Sequence, residues 1–196
     1  MSVIQSPASA PTTSRPWWRP IPRWLVSFVG FPLGGFVAIA LTGPVDGLGP
    51  ALVGGLVTGG VLGGVQAWAM GTARPSVLGW VVATALGLMT GLGLGSWLVH
   101  YQTGLGDLVV QGLVCGAFVG LAQAPVLLPR LGAIALLWPV YLSGVWAIGW
   151  AVTTSLGISV EDQFTVFGSG GAVVATLLTA VAPVLLHRSH SVRNAR

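Results

Sequence analysis

The chain has 196 residues, of which 54% are hydrophobic and only 6% are charged, and its mean hydropathy is +0.86. Soluble domains carry about 25% charged residues, so this composition excludes a soluble globular protein and indicates a membrane protein. The net charge of +4 comes from arginines spread over the termini and loops, which excludes the clustered basic patch that nucleic-acid recognition needs.

Six apolar stretches are long enough to cross a bilayer as helices, for which about 20 residues are needed. They are Trp24–Leu41, Ala51–Met70, Val77–Val99, Leu108–Leu128, Leu131–Thr153 and Phe164–Leu186. Residues 1–23 are predicted to be a disordered cytoplasmic tail and residues 188–196 a basic cytoplasmic tail. The sequence therefore predicts an all-α membrane protein whose single six-helix transmembrane domain covers residues 24–187.

Tryptophan and arginine alternate just before the first stretch. Trp17, Trp18 and Trp24 are predicted to be interfacial anchors, because tryptophan collects at the headgroup level of membranes. The alternative is a handle that binds lipid or a partner protein.

A glycine motif occurs in both the second and the fourth stretch. The segments that begin at Gly55 and Gly112 share the pattern G-L-V-x-G-x-x-x-G-x-x-Q-A. Glycines four apart lie on one face of a helix and form a groove that another helix backbone can approach within a bilayer. The predicted helix-packing residues are Gly55, Gly59, Gly63, Gly112, Gly116 and Gly120.

The odd-numbered stretches share a second pattern with a similar period. Trp24, Trp80 and Trp138 are each followed eleven residues later by a glycine, and they are 56 and 58 residues apart. The stretches therefore pair into three hairpins, at about residues 24–71, 80–128 and 138–187. Because each hairpin returns the chain to the side where it started, the repeats are parallel and predict a pseudo-threefold axis along the membrane normal.

Gln66 and Gln123 occupy equivalent positions in the two motif copies. One hypothesis is an intramembrane polar site around the axis that binds a ligand or a permeating molecule. The favoured interpretation is hydrogen bonding between helices, since a buried amide in a bilayer finds a partner across the interface. In the third hairpin the corresponding position is predicted to be Val181.

The charged residues indicate how the chain crosses the membrane. All eight arginines lie at the termini or in the second and fourth loops, whereas the four acidic residues lie near the first, third and fifth loops. Because positive charge collects on the cytoplasmic side, both termini are predicted to be cytoplasmic.

Motifs for catalysis, metal binding or a cofactor are not evident. No Asp, Glu, Arg or Lys lies deep inside a predicted span, and the single cysteine, Cys115, is interpreted as a small packing residue. An acid–base site could be assembled from His100, Asp107, Glu161 and Asp162, but the loops are short and carry no catalytic spacing. We therefore predict a protein that is not an enzyme and binds no metal or cofactor.

The glycine-glutamine hairpins, with a tryptophan opening the next span, resemble small glycine-rich multi-pass membrane proteins of bacteria. The resemblance covers Trp24–Leu186 and implies the bacterial cytoplasmic membrane but no particular activity.

Two functional hypotheses follow from the sequence. The first is a non-catalytic accessory or interaction module that packs its glycine grooves against lipid, another integral membrane protein or a second copy of itself. The second is a passive channel or facilitator for a small neutral solute or lipid along the pseudo-threefold axis.

Overall fold

The computed structural model describes residues 16, 18–158 and 168–194. These residues are helical apart from short connections and contain no strand. The helices are α1 (Pro20–Val26), α2 (Gly30–Thr42), α3 (Leu48–Ala69), α4 (Val77–Leu98), α5 (Leu105–Leu131), α6 (Trp138–Ser155), α7 (Gly168–Thr179) and α8 (Val181–Asn194). Short 3-10 segments, Ser27–Val29, Gly71–Ala73 and Gly132–Leu137, join some of them.

Five segments are long and apolar enough to cross a membrane. They are Pro20–Thr42, Leu48–Ala69, Val77–Leu98, Leu105–Ser155 and Gly170–Ser191. The first segment starts before the predicted Trp24, and its helix is interrupted by the 3-10 turn that precedes Pro32. The last helix continues to Asn194, past the predicted boundary at residue 187.

The fourth of these segments folds back on itself. Its 51 residues would extend about 76 Å as one straight helix, far more than the hydrocarbon core of about 30 Å. The chain turns at Gly132, which has a φ of 60° that favours glycine, and continues through the 3-10 segment. Gly112 then lies against Trp146, and Gly120 lies against Pro139, so α5 and α6 are antiparallel. The count of six spans stays a prediction.

The helices pack in chain order, and the first returns to the last. From α2 to α7, each helix packs against the next one along the chain, while α1 packs against both α7 and α8. The indole N–H of Trp24 donates to the Thr176 carbonyl oxygen over 3.0 Å and so joins the two ends of the series. The predicted threefold symmetry of the repeats remains a prediction.

Glycines allow α3 and α4 to approach very closely. A Cβ added at Gly59 would lie 2.6 Å from the Thr84 carbonyl oxygen, and one at Gly55 would lie 2.7 Å from the Leu88 carbonyl oxygen. Gly63 faces the same helix near Val81. This groove is therefore filled by the backbone of the chain's own next helix.

The second motif copy, on α5, faces α6. A Cβ added at Gly112 would lie 2.8 Å from the Trp146 carbonyl oxygen. Gly116 lies against the Leu142 carbonyl, and Gly120 lies against Pro139. This groove, too, is occupied within the chain.

A third row of glycines, which the sequence analysis did not single out, lies on α4 and faces α5. It consists of Gly87, Gly91 and Gly95, which meet Val119, Cys115 and Gln111. The signal was present in the four-residue spacing but was not recognised, because this row lacks the glutamine of the two motif copies.

The exposed and buried side chains are distributed as in a protein surrounded by lipid. Large apolar side chains point outward, including Phe36, Leu121 and Val140, which are 55%, 57% and 76% exposed. Polar side chains such as Thr84 and Gln123 are buried inside the bundle. Together with the five apolar segments, this pattern fits an integral membrane protein.

We expect Gly59→Ala to destabilise the bundle, because its methyl group would collide with the Thr84 carbonyl and the backbone of Ala85. Overpacking of this kind costs about 1–3 kcal/mol of unfolding free energy. Unfolding in mixed detergent micelles, followed by circular dichroism, measures the loss.

Gly60→Ala is the matched control on the next residue of α3, where an added Cβ meets nothing within 4 Å. Its unfolding free energy should be unchanged or slightly higher, since alanine favours helix more than glycine does. Equal stability of the two variants would contradict close packing at Gly59.

Candidate functional site

Tryptophan and glutamine side chains join neighbouring helices in one half of the bundle. The indole N–H of Trp80 on α4 donates to Gln66 Oε1 on α3 over 3.2 Å. The indole N–H of Trp138 on α6 donates to Gln123 Oε1 on α5 over 2.7 Å, and Gln123 Nε2 donates to Thr84 Oγ1 over 2.8 Å. These are hydrogen bonds between helices, as the favoured interpretation of Gln66 and Gln123 predicts. They engage the side-chain carbonyl oxygen of each glutamine.

The third tryptophan makes an equivalent contact with different partners. Trp24 Nε1 lies 3.0 Å from the Thr176 carbonyl oxygen and 3.3 Å from Thr179 Oγ1. The spacing of the repeats predicts Val181 at the position that accepts from the Trp24 indole. This prediction is wrong, because Val181 is 39% exposed and follows the break between α7 and α8. Thr179 takes the place instead.

The anchor role predicted for Trp24 needs the same correction. Trp24 is only 1% exposed and is held inside the bundle by its hydrogen bond to α7, so its ring is not available for contact with lipid headgroups. Trp18 is 53% exposed, and its anchoring stays a prediction. Trp17 lies outside the described residues.

The hypothesised polar site around Gln66 and Gln123 encloses very little space. The cavity between these side chains and the three tryptophans has a volume of about 20 Å³. A buried water needs about 10–15 Å³ by this measure, so the cavity has room for roughly one water molecule.

A much larger cavity lies in the other half of the bundle. Its volume is about 470 Å³, within the range of small-molecule sites. Its rim is formed by the loop between α2 and α3, with exposed Asp46, and by the loop between α4 and α5, with exposed His100. The wall continues inward to Thr58 on α3 and Trp150 on α6.

The space exists because small residues line it. Gly35, Ala38 and Gly54 line the side formed by α2 and α3, and a Cβ added at Gly54 would come no closer than 3.8 Å to another atom. The volume that large side chains fill in the tryptophan half is therefore left open here.

The α4–α5 loop at the rim has an unusual backbone. His100 and Tyr101 are consecutive non-glycine residues with φ values of 51° and 59°. The Tyr101 N–H donates to the Ser96 carbonyl oxygen over 2.8 Å, which terminates α4 and helps to hold the strained turn. Both side chains are thereby kept at the mouth of the cavity.

Uncharged polar groups line the interior of this cavity. Ser96 is 2% exposed, and its hydroxyl has no hydrogen-bond partner among the described residues. Thr58 and Gln111 are 1% and 8% exposed and line the same space.

One helical turn of large side chains separates the two cavities, which share no lining residue. The large cavity is lined by Gly35 on α2 and by Trp150 on α6. One helical turn away, the same two helices carry Phe31 and Trp146, which line the small cavity. The rings of Phe31 and Trp146 have centroids 6.0 Å apart, and Leu62 is only 1% exposed beside them. The large cavity is therefore closed at its inner end.

Charge differs between the two ends of the bundle. The end with the large cavity carries Asp46 and Asp107, and we call it the acidic end. At the opposite, arginine end, Arg23 lies 4.5 Å above the Trp68 ring, and Arg130 Nη1 donates to the Ala73 carbonyl oxygen over 3.4 Å.

The acid–base site considered from the sequence is only partly described. His100 lies at the cavity rim and Asp107 in the first turn of α5, outside the cavity lining. Glu161 and Asp162 lie outside the described residues. Within the described part of the chain, no group of three or more His, Cys, Asp or Glu side chains could hold a metal ion.

The fold and cavities define the class: an all-α protein of membrane-spanning character with a cavity open at one end. No protein-family model, curated protein or solved structure matches the chain.

We expect Trp138→Phe to destabilise the fold by about 1 kcal/mol, in the range of interhelical hydrogen bonds in membranes. The phenyl ring keeps most of the apolar volume but removes the donor that Gln123 accepts from at 2.7 Å. Unfolding in mixed micelles measures the change, with exposed Trp97→Phe as the control.

A double-mutant cycle with Gln123→Leu isolates the pair. The loss caused by Trp138→Phe should be smaller in the Gln123→Leu background. Strict additivity would mean that the bond contributes nothing to stability.

Proposed function

We propose that this protein is a non-catalytic integral membrane protein that binds a small molecule in the cavity at its acidic end and does not conduct solutes. The observation that carries the proposal is a cavity of about 470 Å³ that opens at one end. A layer with Phe31, Leu62 and Trp146 lies between it and the tryptophan half.

The proposal keeps the non-catalytic binding role of the first sequence hypothesis, but it places the binding site in the large cavity instead of the glycine grooves. The glycine grooves were expected to receive another membrane protein or lipid. Gly59 packs against α4 and Gly116 against α6, so these grooves are already filled. The large cavity is the surface that remains available for a ligand, while lipid contacts the apolar exterior.

The barrier disfavours the alternative hypothesis of a passive channel. A pore needs a continuous path along the axis, yet the cavity beyond the barrier has a volume of only about 20 Å³. Around it, Trp80 and Trp138 are 1% and 7% exposed and bonded to the glutamines. Both side chains would have to leave their partners before a solute could pass.

For the membrane arrangement, we propose six crossings with both termini in the cytoplasm of a bacterial cell. The antiparallel packing of α5 and α6, of 27 and 18 residues, supports counting them separately. The arginines at one end support the orientation through the positive-inside rule. The cavity would then open away from the cytoplasm.

Cysteine labelling tests the cavity and its barrier. In a Cys115→Ala background reconstituted in nanodiscs, both ends are exposed to a small, uncharged, water-soluble thiol reagent. We expect Gln111→Cys, in the large cavity, to react at least ~10-fold faster than Gln123→Cys, since a closed site reacts only after local opening.

The two glutamines make a matched pair, because both lie on α5 and differ mainly in which cavity they line. Size-exclusion chromatography checks that each variant is folded and monodisperse. A Gln111→Cys that stays unreacted would refute the open cavity, and fast reaction of Gln123→Cys would indicate a continuous passage.

The same Gln111→Cys variant tests the orientation in intact bacterial cells. An impermeant reagent added outside should label it, whereas a cysteine at Arg74, at the arginine end, should be labelled only after the cells are opened. The reverse pattern would overturn the assignment of cytoplasmic termini.

A further inference from the structure

The geometry of the large cavity points to a class of ligand: we infer that it binds an amphipathic organic cation, with the charged group at the rim and the apolar body inside. The inference rests on the proposed function, because it needs the cavity to admit a small molecule. It assigns a ligand chemistry to a site that no sequence motif marks.

The mouth of the large cavity carries a negative charge. The exposed carboxylate of Asp46 lines the rim, and none of the arginines that the structure describes lines the cavity. The arginine side chains Arg23 and Arg130 make their contacts at the opposite end of the bundle. A negative mouth raises the local concentration of cations and repels anions.

The inner part of the cavity has an uncharged lining. Below the rim the lining contains no ionised side chain: the inner wall consists of apolar residues such as Leu92 and Leu108 and of the uncharged groups of Thr58 and Ser96. An ion without a counter-charge is strongly disfavoured in such surroundings. The ligand must therefore keep its charge at the rim and bury an uncharged part.

Aromatic rings at two levels favour the same class. Tyr101 lies at the rim beside His100 and Gln102, where a cation can lie against the ring face. Trp150 adds apolar character to the inner wall, although it is almost completely buried.

The cavity of about 470 Å³ has room for a small organic molecule, since ligand pockets are about 300–1,000 Å³.

Three probes with the same aromatic body test the charge preference: 2-phenylethylamine, 2-phenylethanol and 3-phenylpropanoate. Each is added before the thiol reagent to the Gln111→Cys protein in nanodiscs, and the concentration that halves the labelling rate is measured. We expect the amine to protect at a concentration about two- to fivefold below the alcohol, the size of effect that one exposed charge pair produces. The carboxylate should protect least.

Asp46→Asn and Asp107→Asn provide the matched comparison. Both remove one negative charge from the acidic end, but only Asp46 lines the cavity. Asp46→Asn should raise the half-protection concentration of the amine to that of the alcohol, leaving the alcohol unchanged. Asp107→Asn should preserve most of the difference.

The outcomes separate this inference from the proposed function. If Gln111→Cys is labelled but no probe protects it, or the carboxylate protects as well as the amine, the cation class is wrong while the cavity stands. Equal loss in the two asparagine variants would mean that surface charge in general, and not Asp46, selects the ligand. If Gln111→Cys is never labelled, the proposed function itself fails.

Discussion

The close approach of helix backbones is the constraint on which the rest of this structure depends. Lipid tails are as apolar as leucine, so helices in a bilayer gain little from burying large apolar side chains against one another. They gain from packing at short range, which requires residues without a side chain at the contact. Gly59 on α3, Gly91 on α4 and Gly116 on α5 each lie against the backbone of the next helix. The chain-order packing of the bundle follows from these rows.

Close packing also decides where polar side chains can bond. Once α3 meets α4 and α5 meets α6, the indoles of Trp80 and Trp138 come within hydrogen-bond distance of Gln66 and Gln123. Each indole carries one donor, and each glutamine offers a carbonyl acceptor, so the pair is satisfied without water. The contact joins helices that the glycine rows have already brought together, and it is a consequence of the packing as well as a further restraint on it.

The sequence predicted the features that have a period and missed those that depend on volume. Glycine spacing indicated the packing faces, and the matching positions of Gln66 and Gln123 indicated a shared depth. Offset alone misassigned the third position to Val181, because the break between α7 and α8 shifts the register and gives the role to Thr179. The boundary predicted between Leu128 and Leu131 lies close to the observed turn at Gly132. The large cavity could not be predicted, since an unfilled space leaves no pattern of its own in one sequence.

The difference between the two halves of the bundle comes from the size of the side chains that face the axis. In one half, Trp24, Trp80 and Trp138 join Phe31 and Trp146 around a cavity of about 20 Å³. In the other half, Gly35, Ala38 and Gly54 occupy wall positions and leave about 470 Å³. Both halves belong to the same helices, so the rigid glycine packing that closes one end also prevents the other end from collapsing. An open cavity costs stability because its walls lose packing contacts, and the proposed ligand-binding role supplies a physical reason for keeping it.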